Sequence, residues 1–85
     1  MASYRVEIRK SVLRELRRLD TRMLPAIIAA LDALAVEPRP LGVKKLVGSK
    51  STYRIRVGDY RIIYEINDGT LTVTVVRAAH RKDAY

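Results

Sequence analysis

The chain has 85 residues, of which 48% are hydrophobic, and a formal net charge of +8. This length and composition predict one globular domain spanning residues 1–85. The absence of cysteine excludes disulfides and thiolate metal sites, and no apolar run approaches the ~18 residues of a membrane span. We therefore expect a cytoplasmic protein that does not enter a membrane. The excess of positive charge predicts a polyanionic partner, either nucleic acid or an acidic protein.

The first half of the chain predicts one strand followed by two helices that form an αα-hairpin. Residues 4–9 alternate apolar and charged side chains, as expected of a strand with one buried face. Ser11 can cap the first helix, and Pro25 is tolerated in the first turn of the second, which should end before Glu37. The predicted apolar stripes are Val12, Leu13, Leu16 and Leu19 in one helix and Ile27, Ile28, Leu31 and Leu34 in the other.

The second half predicts three strands joined by tight turns. A basic loop at residues 41–51 precedes them, and the strands are expected at about 52–57, 60–67 and 70–78. Gly58-Asp59 and Asp68-Gly69 are typical of two-residue hairpin turns. The expected fold is therefore α+β with the order β-α-α-β-β-β, in which a small, twisted, mainly antiparallel sheet carries the αα-hairpin on one face.

Alternation along these strands separates an apolar face from a basic one. If Gly58-Asp59 is the turn, Arg56 lies opposite Arg61, and Arg54 follows on the same face. Like charges directly opposite each other destabilise a sheet, so a chain that keeps them is expected to use them. A phosphate backbone is the leading candidate ligand, and a solvated strand face is the simpler alternative.

Other residues of this half carry weaker functional signals. His80 is the only histidine and follows the last predicted strand; it suits general-acid chemistry, although a structural role is commoner. From spacing alone, a frayed end is the favoured interpretation of Tyr85. Arg77 falls on the apolar face at the end of its strand, where it is expected to pair with a carboxylate at the sheet rim. The carboxylates show no metal-ligand spacing, so neither a metal nor another cofactor is expected.

Two stretches of the chain resemble the RelE branch of the RelE/ParE toxin superfamily. They are YRIRVGDYRIIY at residues 53–64 and VVRAAHRKDAY at residues 75–85, and the order of elements is similar over nearly the whole chain. The resemblance implies a type II toxin that enters the ribosomal A site and cleaves mRNA without a metal, the ribose 2′-hydroxyl attacking the adjacent phosphate. It also implies a cognate antitoxin, and the charge here suits an acidic one in a toxin–antitoxin hetero-oligomer.

The same resemblance implies roles for individual residues. Arg54 and Arg56 match positions that are often lysine and that hold and stabilise the phosphate, here an electrostatic role because arginine does not readily shuttle protons. Arg61 matches an arginine that contacts the phosphate. Arg81 matches an arginine that assists the leaving group and Tyr85 a tyrosine proposed as the base, with His80 as a second candidate acid. The residues expected to contact RNA or the ribosome are Lys44, Lys45 and Lys50. Two alternatives stay open: a ParE-like toxin that inhibits DNA gyrase without cleaving RNA, and a non-catalytic RNA-binding module.

Overall fold

The structure is a computed structural model that describes residues 3–48, 50–80 and 82. In this part of the chain, a sheet of five strands carries two α-helices on one face. The elements in chain order are β1 (Arg5–Ile8), α1 (Lys10–Arg17), a 3₁₀ turn (Thr21–Met23), α2 (Leu24–Val36), β2 (Lys44–Lys45), β3 (Thr52–Val57), β4 (Tyr60–Asn67) and β5 (Thr72–His80). The strand order is β1-β5-β4-β3-β2, with β1 parallel to β5 and the other pairs antiparallel. The predicted α+β fold is confirmed, and β2 is an additional strand within the stretch predicted as a basic loop.

Both helices lie close to their predicted positions. α1 begins at Lys10 with Arg9 as its N-cap residue, and no side chain of the described residues caps it, so the prediction of Ser11 as the cap is wrong. α2 carries Pro25 in its first turn and ends at Val36, as predicted. Among the described residues, no helix is both long and apolar enough to cross a membrane.

The core lies between the helices and one face of the sheet. Its helical members are Val12, Ile27, Leu31 and Leu34, which join buried tyrosines and aliphatic residues of β3, β4 and β5. Leu13 and Ile28 are instead 44% and 53% exposed, so the predicted stripes are too wide. Each of these two follows a fully buried residue, and successive helical side chains diverge by about 100° around the axis.

The two hairpin turns differ in length. Val57 pairs with Tyr60, which confirms the two-residue turn, and Gly58 takes a positive φ of 58° that favours glycine there. β4 and β5 are joined by four residues, because Asn67 pairs with Thr72 and not with Thr70 as an Asp68-Gly69 turn requires. This error of two residues leaves the side chains of β5 from Thr72 to Val75 on their predicted faces, since side chains alternate with a period of two.

A β-bulge in β5 reverses the alternation near the end of that strand. Tyr64 pairs with Val75, whereas Ile63 pairs with Arg77, so Val76 is the extra residue. Arg77 is therefore in register with Ile63 on the outer face, and its predicted position on the apolar face is wrong. Its predicted carboxylate partner is confirmed, because Nε of Arg77 lies 3.8 Å from Oε2 of Glu15 on α1.

Candidate nucleic-acid interface

Two neighbouring rows of residues make one end of the outer sheet face strongly basic. The row nearest the β3–β4 turn consists of Arg56, Arg61 and Ala79, and the next of Lys44, Arg54, Ile63 and Arg77. Paired residues of adjacent strands point to the same face, so the cations of both rows lie on one side of the sheet. We call Lys44, Arg54, Arg56, Arg61 and Arg77 the basic face.

Burial of the intervening residues holds the basic face in place. Ile55 lies between Arg54 and Arg56 on β3 and is 8% exposed, while Ile62 follows Arg61 on β4 and is 0% exposed. A register slip of one residue would expose these isoleucines and bury the arginines, both at a large cost in free energy. The hydrophobic core therefore determines which way the arginines point.

The arginines of the basic face differ in exposure. Arg56 is exposed, and its Nε donates a 3.3 Å hydrogen bond to the carbonyl of Gly58 in the adjacent turn. Arg54 and Arg61 are half-buried, and the Nη1 atom of Arg61 is fully buried. Arg56 and Arg61 are paired directly in the sheet, where like charges are destabilising, and a bound phosphate could accept paired hydrogen bonds from such side chains.

The remaining predicted contact residues are spread around this face. Lys44 joins it through its pairing with Arg54, but Lys45 pairs with Tyr53 and so belongs to the opposite side of the sheet. Lys50 is exposed just before β3. Of the three other predicted catalytic residues, Arg81 and Tyr85 lie outside the described residues.

Sequence reasoning did not include Arg77 among the site residues, because simple alternation put it in the core. The sequence does contain a signal, namely the conflict between the charge of Arg77 and its predicted place in the core. A charged side chain at an apolar position, followed by two alanines, indicates that the alternation has shifted, and a bulge is the usual cause.

His80 lies on the other side of the sheet from the basic face. It is the last residue of β5, not a residue beyond the strand, and it pairs with the core residue Tyr60. The two ring centroids are 5.3 Å apart with the ring planes at 90°. Nδ1 of His80 accepts a 3.2 Å hydrogen bond from the backbone N–H of Lys82. This acceptor needs a lone pair on Nδ1, so the proton of the neutral ring sits on Nε2.

A cavity of about 290 Å³ opens between α1 and the end of β5, bordered by Arg18, Tyr60, Ala79 and His80 among others. It exists because β1 pairs only with the first part of β5, from Thr72 to Val75. Beyond that point α1 covers the strand edge, where a Glu15 carboxylate oxygen accepts a 3.4 Å hydrogen bond from the Ala78 N–H. Through Ala79 the cavity adjoins the basic face.

A second depression, the α2–β3 groove, is mostly apolar. It has a volume of about 320 Å³, and Ala30, Ala33 and Ile55 contribute to its walls. The small alanine side chains leave the space open, while Leu41 at its border is fully exposed. Arg56 also lines it, so the groove is contiguous with the basic face.

The opposite end of the sheet carries an arginine with a full set of partners. Arg39 donates hydrogen bonds to both carboxylate oxygens of Asp68, at 3.3 and 2.9 Å, and to the Tyr53 hydroxyl at 3.2 Å. Tyr4 donates a 2.6 Å hydrogen bond to the same carboxylate. The hydrogen bonds from Arg39 and then from Tyr4 lower the pKa of Asp68. We call these four residues the Asp68 cluster; it joins four segments distant in sequence.

Tyr64 lies beside this cluster and is fully buried. Its hydroxyl donates a 2.7 Å hydrogen bond to the carbonyl of Pro38. Burial is the main cause that raises the pKa of Tyr64 to about 12. The phenol is therefore held in its neutral form, as a structural group.

The fold and the basic face together define a small α+β domain with a cationic sheet surface, and comparison with known proteins identifies its family. Residues 6–85 match the family described as the ParE toxin of the type II toxin–antitoxin system parDE. The toxin RelG of Mycobacterium tuberculosis is 34% identical over 83 residues, which cover 96% of this chain and 95% of RelG. The putative toxin RelE1 of Methanocaldococcus jannaschii is 29% identical over 85 residues, covering 96% of this chain and 94% of RelE1.

Solved structures agree with these relatives. The archaeal RelE–RelB complex from Pyrococcus horikoshii OT3 contains a chain that superposes with a TM-score of 0.84 at 33% identity, covering 96% of this chain and 99% of that one. The RelBE2 toxin–antitoxin complex of Mycobacterium tuberculosis gives a TM-score of 0.81 at 32% identity, covering 93% and 99%. This chain belongs to the RelE/ParE family of type II toxins, on its RelE branch.

Proposed function

We propose that this protein is a cytoplasmic, ribosome-dependent endoribonuclease that cleaves mRNA in the ribosomal A site. The observation that carries the proposal is the basic face, where Arg54, Arg56 and Arg61 converge on one side of the sheet. Side chains that can grip a phosphate from several directions suit a reaction in which negative charge grows on a phosphoryl group. Membership of the RelE branch supports the same function.

The proposed reaction needs no cofactor. The ribose 2′-hydroxyl loses its proton and attacks the adjacent phosphorus, forming a 2′,3′-cyclic phosphate, while the bond to the 5′-oxygen breaks and that oxygen takes up a proton. Arg54 and Arg56 hold the phosphate, and Arg61 stabilises the charge on its oxygens. By resemblance, Tyr85 removes the first proton and Arg81 assists the departing oxygen. Lys44, Lys45 and Lys50 contact the RNA or the ribosome.

Primer extension in a reconstituted translation reaction tests this proposal. Purified wild-type protein should produce cuts at in-frame codon positions only when ribosomes are present. The double variant with Arg61→Ala and Arg81→Ala should produce none, and wild-type cleavage by that variant would overturn the site assignment. If folded wild-type protein makes no cut, inhibition of gyrase supercoiling would identify a ParE-like toxin instead. RNA binding with steep salt dependence and no cut product would identify a non-catalytic binding module.

We also propose an acidic antitoxin as the cognate partner, bound across the basic face and the α2–β3 groove. The groove supports this because it places apolar walls directly beside Arg56. An amphipathic antitoxin segment can bury apolar side chains there and set its carboxylates against the arginines. Occupancy of the groove would then block access of RNA to the basic face.

Filling the groove should weaken the binding of the antitoxin without reducing mRNA cleavage by the toxin. Ala33→Glu adds bulk and negative charge at the groove wall, so the antitoxin concentration needed for half-maximal protection of mRNA should rise about tenfold or more. The matched control is Ala29→Glu, on the same helix at an exposed position that does not line the groove. If the antitoxin protects mRNA equally well against both variants, the groove is not part of the interface.

A further inference from the structure

We propose that the cavity between α1 and the end of β5 is a subsite for one unpaired nucleobase of the bound RNA. In this subsite Glu15 selects a base that carries an exocyclic amino group. The inference deepens the proposed ribonuclease function and rests on it for its role in cleavage. Its binding test uses mononucleotides and does not depend on catalysis.

The cavity opens at the edge of the sheet, where residues of both faces are within reach. β1 pairs with β5 only from Thr72 to Val75, so the cavity forms beyond that point. Arg77 belongs to the basic face and also lines the cavity, and Ala79 of the same wall pairs with Arg61. Neighbouring strands are about 5 Å apart. An RNA whose phosphate is held at Arg61 can therefore place an adjacent base in the cavity.

The size and the walls of the cavity suit a single base. Its volume of about 290 Å³ lies at the lower end of the range for small-molecule sites, about 300–1,000 Å³. Leu19 and the ring of Tyr60 supply apolar surface, while Arg18 and His80 supply polar groups. Bases of single-stranded RNA are bound by stacking on aromatic rings or guanidinium planes and by hydrogen bonds to their edges. The cavity offers groups for both kinds of contact.

The mixture of charges in the cavity favours a base over a simple anion. Arg18 and Arg77 are cationic, but the Glu15 carboxylate lies on the same wall. One of its oxygens is 3.8 Å from Nε of Arg77, and the other accepts the 3.4 Å hydrogen bond from Ala78. A phosphate in the cavity would be repelled by this carboxylate, whereas a base presents donors as well as acceptors.

Glu15 is the group that can distinguish one base from another. An ionised carboxylate only accepts hydrogen bonds and has about four lone-pair sites, so the two contacts of Glu15 leave capacity for a ligand. Its side chain is 29% exposed and therefore accessible. The amino group of cytosine can donate to a carboxylate, whereas uracil has a carbonyl oxygen at that position, which the carboxylate repels. We therefore expect Glu15 to favour amino-bearing bases and to disfavour uracil.

Cytidine and uridine 5′-monophosphate provide the binding test, because they differ only at this position of the base. His80 lines the cavity and is the only histidine, so its ring signals are recognisable by NMR in protein without a polyhistidine tag. Cytidine monophosphate should shift these signals to saturation, and uridine monophosphate should bind about tenfold more weakly. Ribose 5-phosphate, which lacks a base, should leave them almost unchanged.

Glu15→Gln should remove the preference for cytidine. Its amide oxygen still accepts the Ala78 N–H, but its NH₂ group can donate to the uracil oxygen, so both nucleotides should bind equally. The matched control is Glu7→Gln, the same change to an exposed carboxylate that pairs with Arg5 on β1 and does not line the cavity. It should keep the wild-type preference.

A second variant serves if Glu15→Gln does not fold. Arg18→Ala changes an exposed residue of the cavity rim, and it should weaken the binding of both nucleotides by the same factor. In the translation reaction, exchanging C for U at one position beside the cut should slow wild-type cleavage about tenfold. The same exchange should not slow cleavage by Glu15→Gln.

Other outcomes overturn the proposal. Equal binding of the two nucleotides to wild type would show that Glu15 does not distinguish bases. Equal shifts with ribose 5-phosphate would make the cavity an anion site, and unchanged affinities in Arg18→Ala would place the nucleotides elsewhere. If the preference for cytidine is found in a protein that makes no cut in mRNA, the subsite is upheld and only the proposed ribonuclease function fails.

Discussion

The two ends of the sheet use arginine in different ways. At the β4–β5 end, Arg39 donates to a carboxylate and to a tyrosine hydroxyl, and its guanidinium lies 5.2 Å from the centroid of the Tyr53 ring. At the β3–β4 end, Arg56 and Arg61 lie directly opposite each other. The first arrangement stabilises the protein, whereas like charges placed directly opposite each other destabilise a sheet. The comparison distinguishes Arg39, which stabilises the fold, from the arginines for which we propose a phosphate ligand.

The largest expected effect concerns the β3–β4 end of the sheet. Arg61→Ala should reduce ribosome-dependent cleavage by about 10²-fold or more, because it removes a charge that stabilises the transition state. Its thermal stability should change little, since the variant also removes a like-charge pair. The matched control is Arg14→Ala, an exposed arginine of α1, which should cleave like wild type. A large fall in Tm for Arg61→Ala would assign this arginine to the fold and break the comparison.

The next largest effect concerns the β4–β5 end of the sheet. Tyr64→Phe removes the buried hydrogen bond to Pro38 and should lower the free energy of unfolding by about 1–2 kcal/mol. The pKa of Tyr64 is raised to about 12 in the folded protein, against about 10 when unfolded. The folded state therefore holds this proton more tightly, and its contribution is complete below pH ~10 and is lost as pH rises towards ~12.

Urea unfolding measured at intervals from pH 8 to high pH checks this prediction. Wild type should lose stability across that alkaline range, and Tyr64→Phe should lose less. If the free energy of unfolding falls with pH in parallel for the two proteins, a group other than Tyr64 causes the loss of stability at alkaline pH. Cleavage by the folded fraction of Tyr64→Phe should equal that of wild type at neutral pH.

A smaller effect is expected from Arg39→Ala, because this arginine is partly exposed to solvent. The variant should lower Tm by about 5 °C, since it opens the Asp68 cluster, without changing cleavage by folded protein. Asp68 has a lowered pKa, so its contribution to stability is present above the unfolded value and is lost as pH falls through the folded one. Arg39→Ala should therefore reduce the acid sensitivity of Tm.

Arg22→Ala is the matched control for Arg39→Ala. Arg22 also pairs with an aspartate, at 2.8 Å, but its partner Asp20 is only two residues away and Arg22 is 88% exposed. Such a pair can form in the unfolded chain as well, so its loss should change Tm much less. Equal changes in Tm for the two variants would show that linking distant segments adds nothing to the stability of the Asp68 cluster.

The fold class, the Gly58-Asp59 turn and the outer-face position of three arginines could all be predicted from the sequence; the arginines are Arg54, Arg56 and Arg61. These features depend on local patterns: the alternation of apolar residues along a strand and the residue types that a tight turn accepts. The catalytic roles predicted for these arginines, and those for Arg81 and Tyr85, come from resemblance and stay predictions.

The positions of the remaining residues depend on contacts between segments that are distant in sequence. The bulge moves Arg77 to the basic face, pairing with β3 brings Lys44 there, and the partner strand puts His80 beside Tyr60 on the opposite side. Each placement depends on which strand lies alongside and in what register, and pairing between distant segments leaves no periodic signal in the segment itself. Local alternation therefore predicted the faces, and long-range pairing decided which residues share the site.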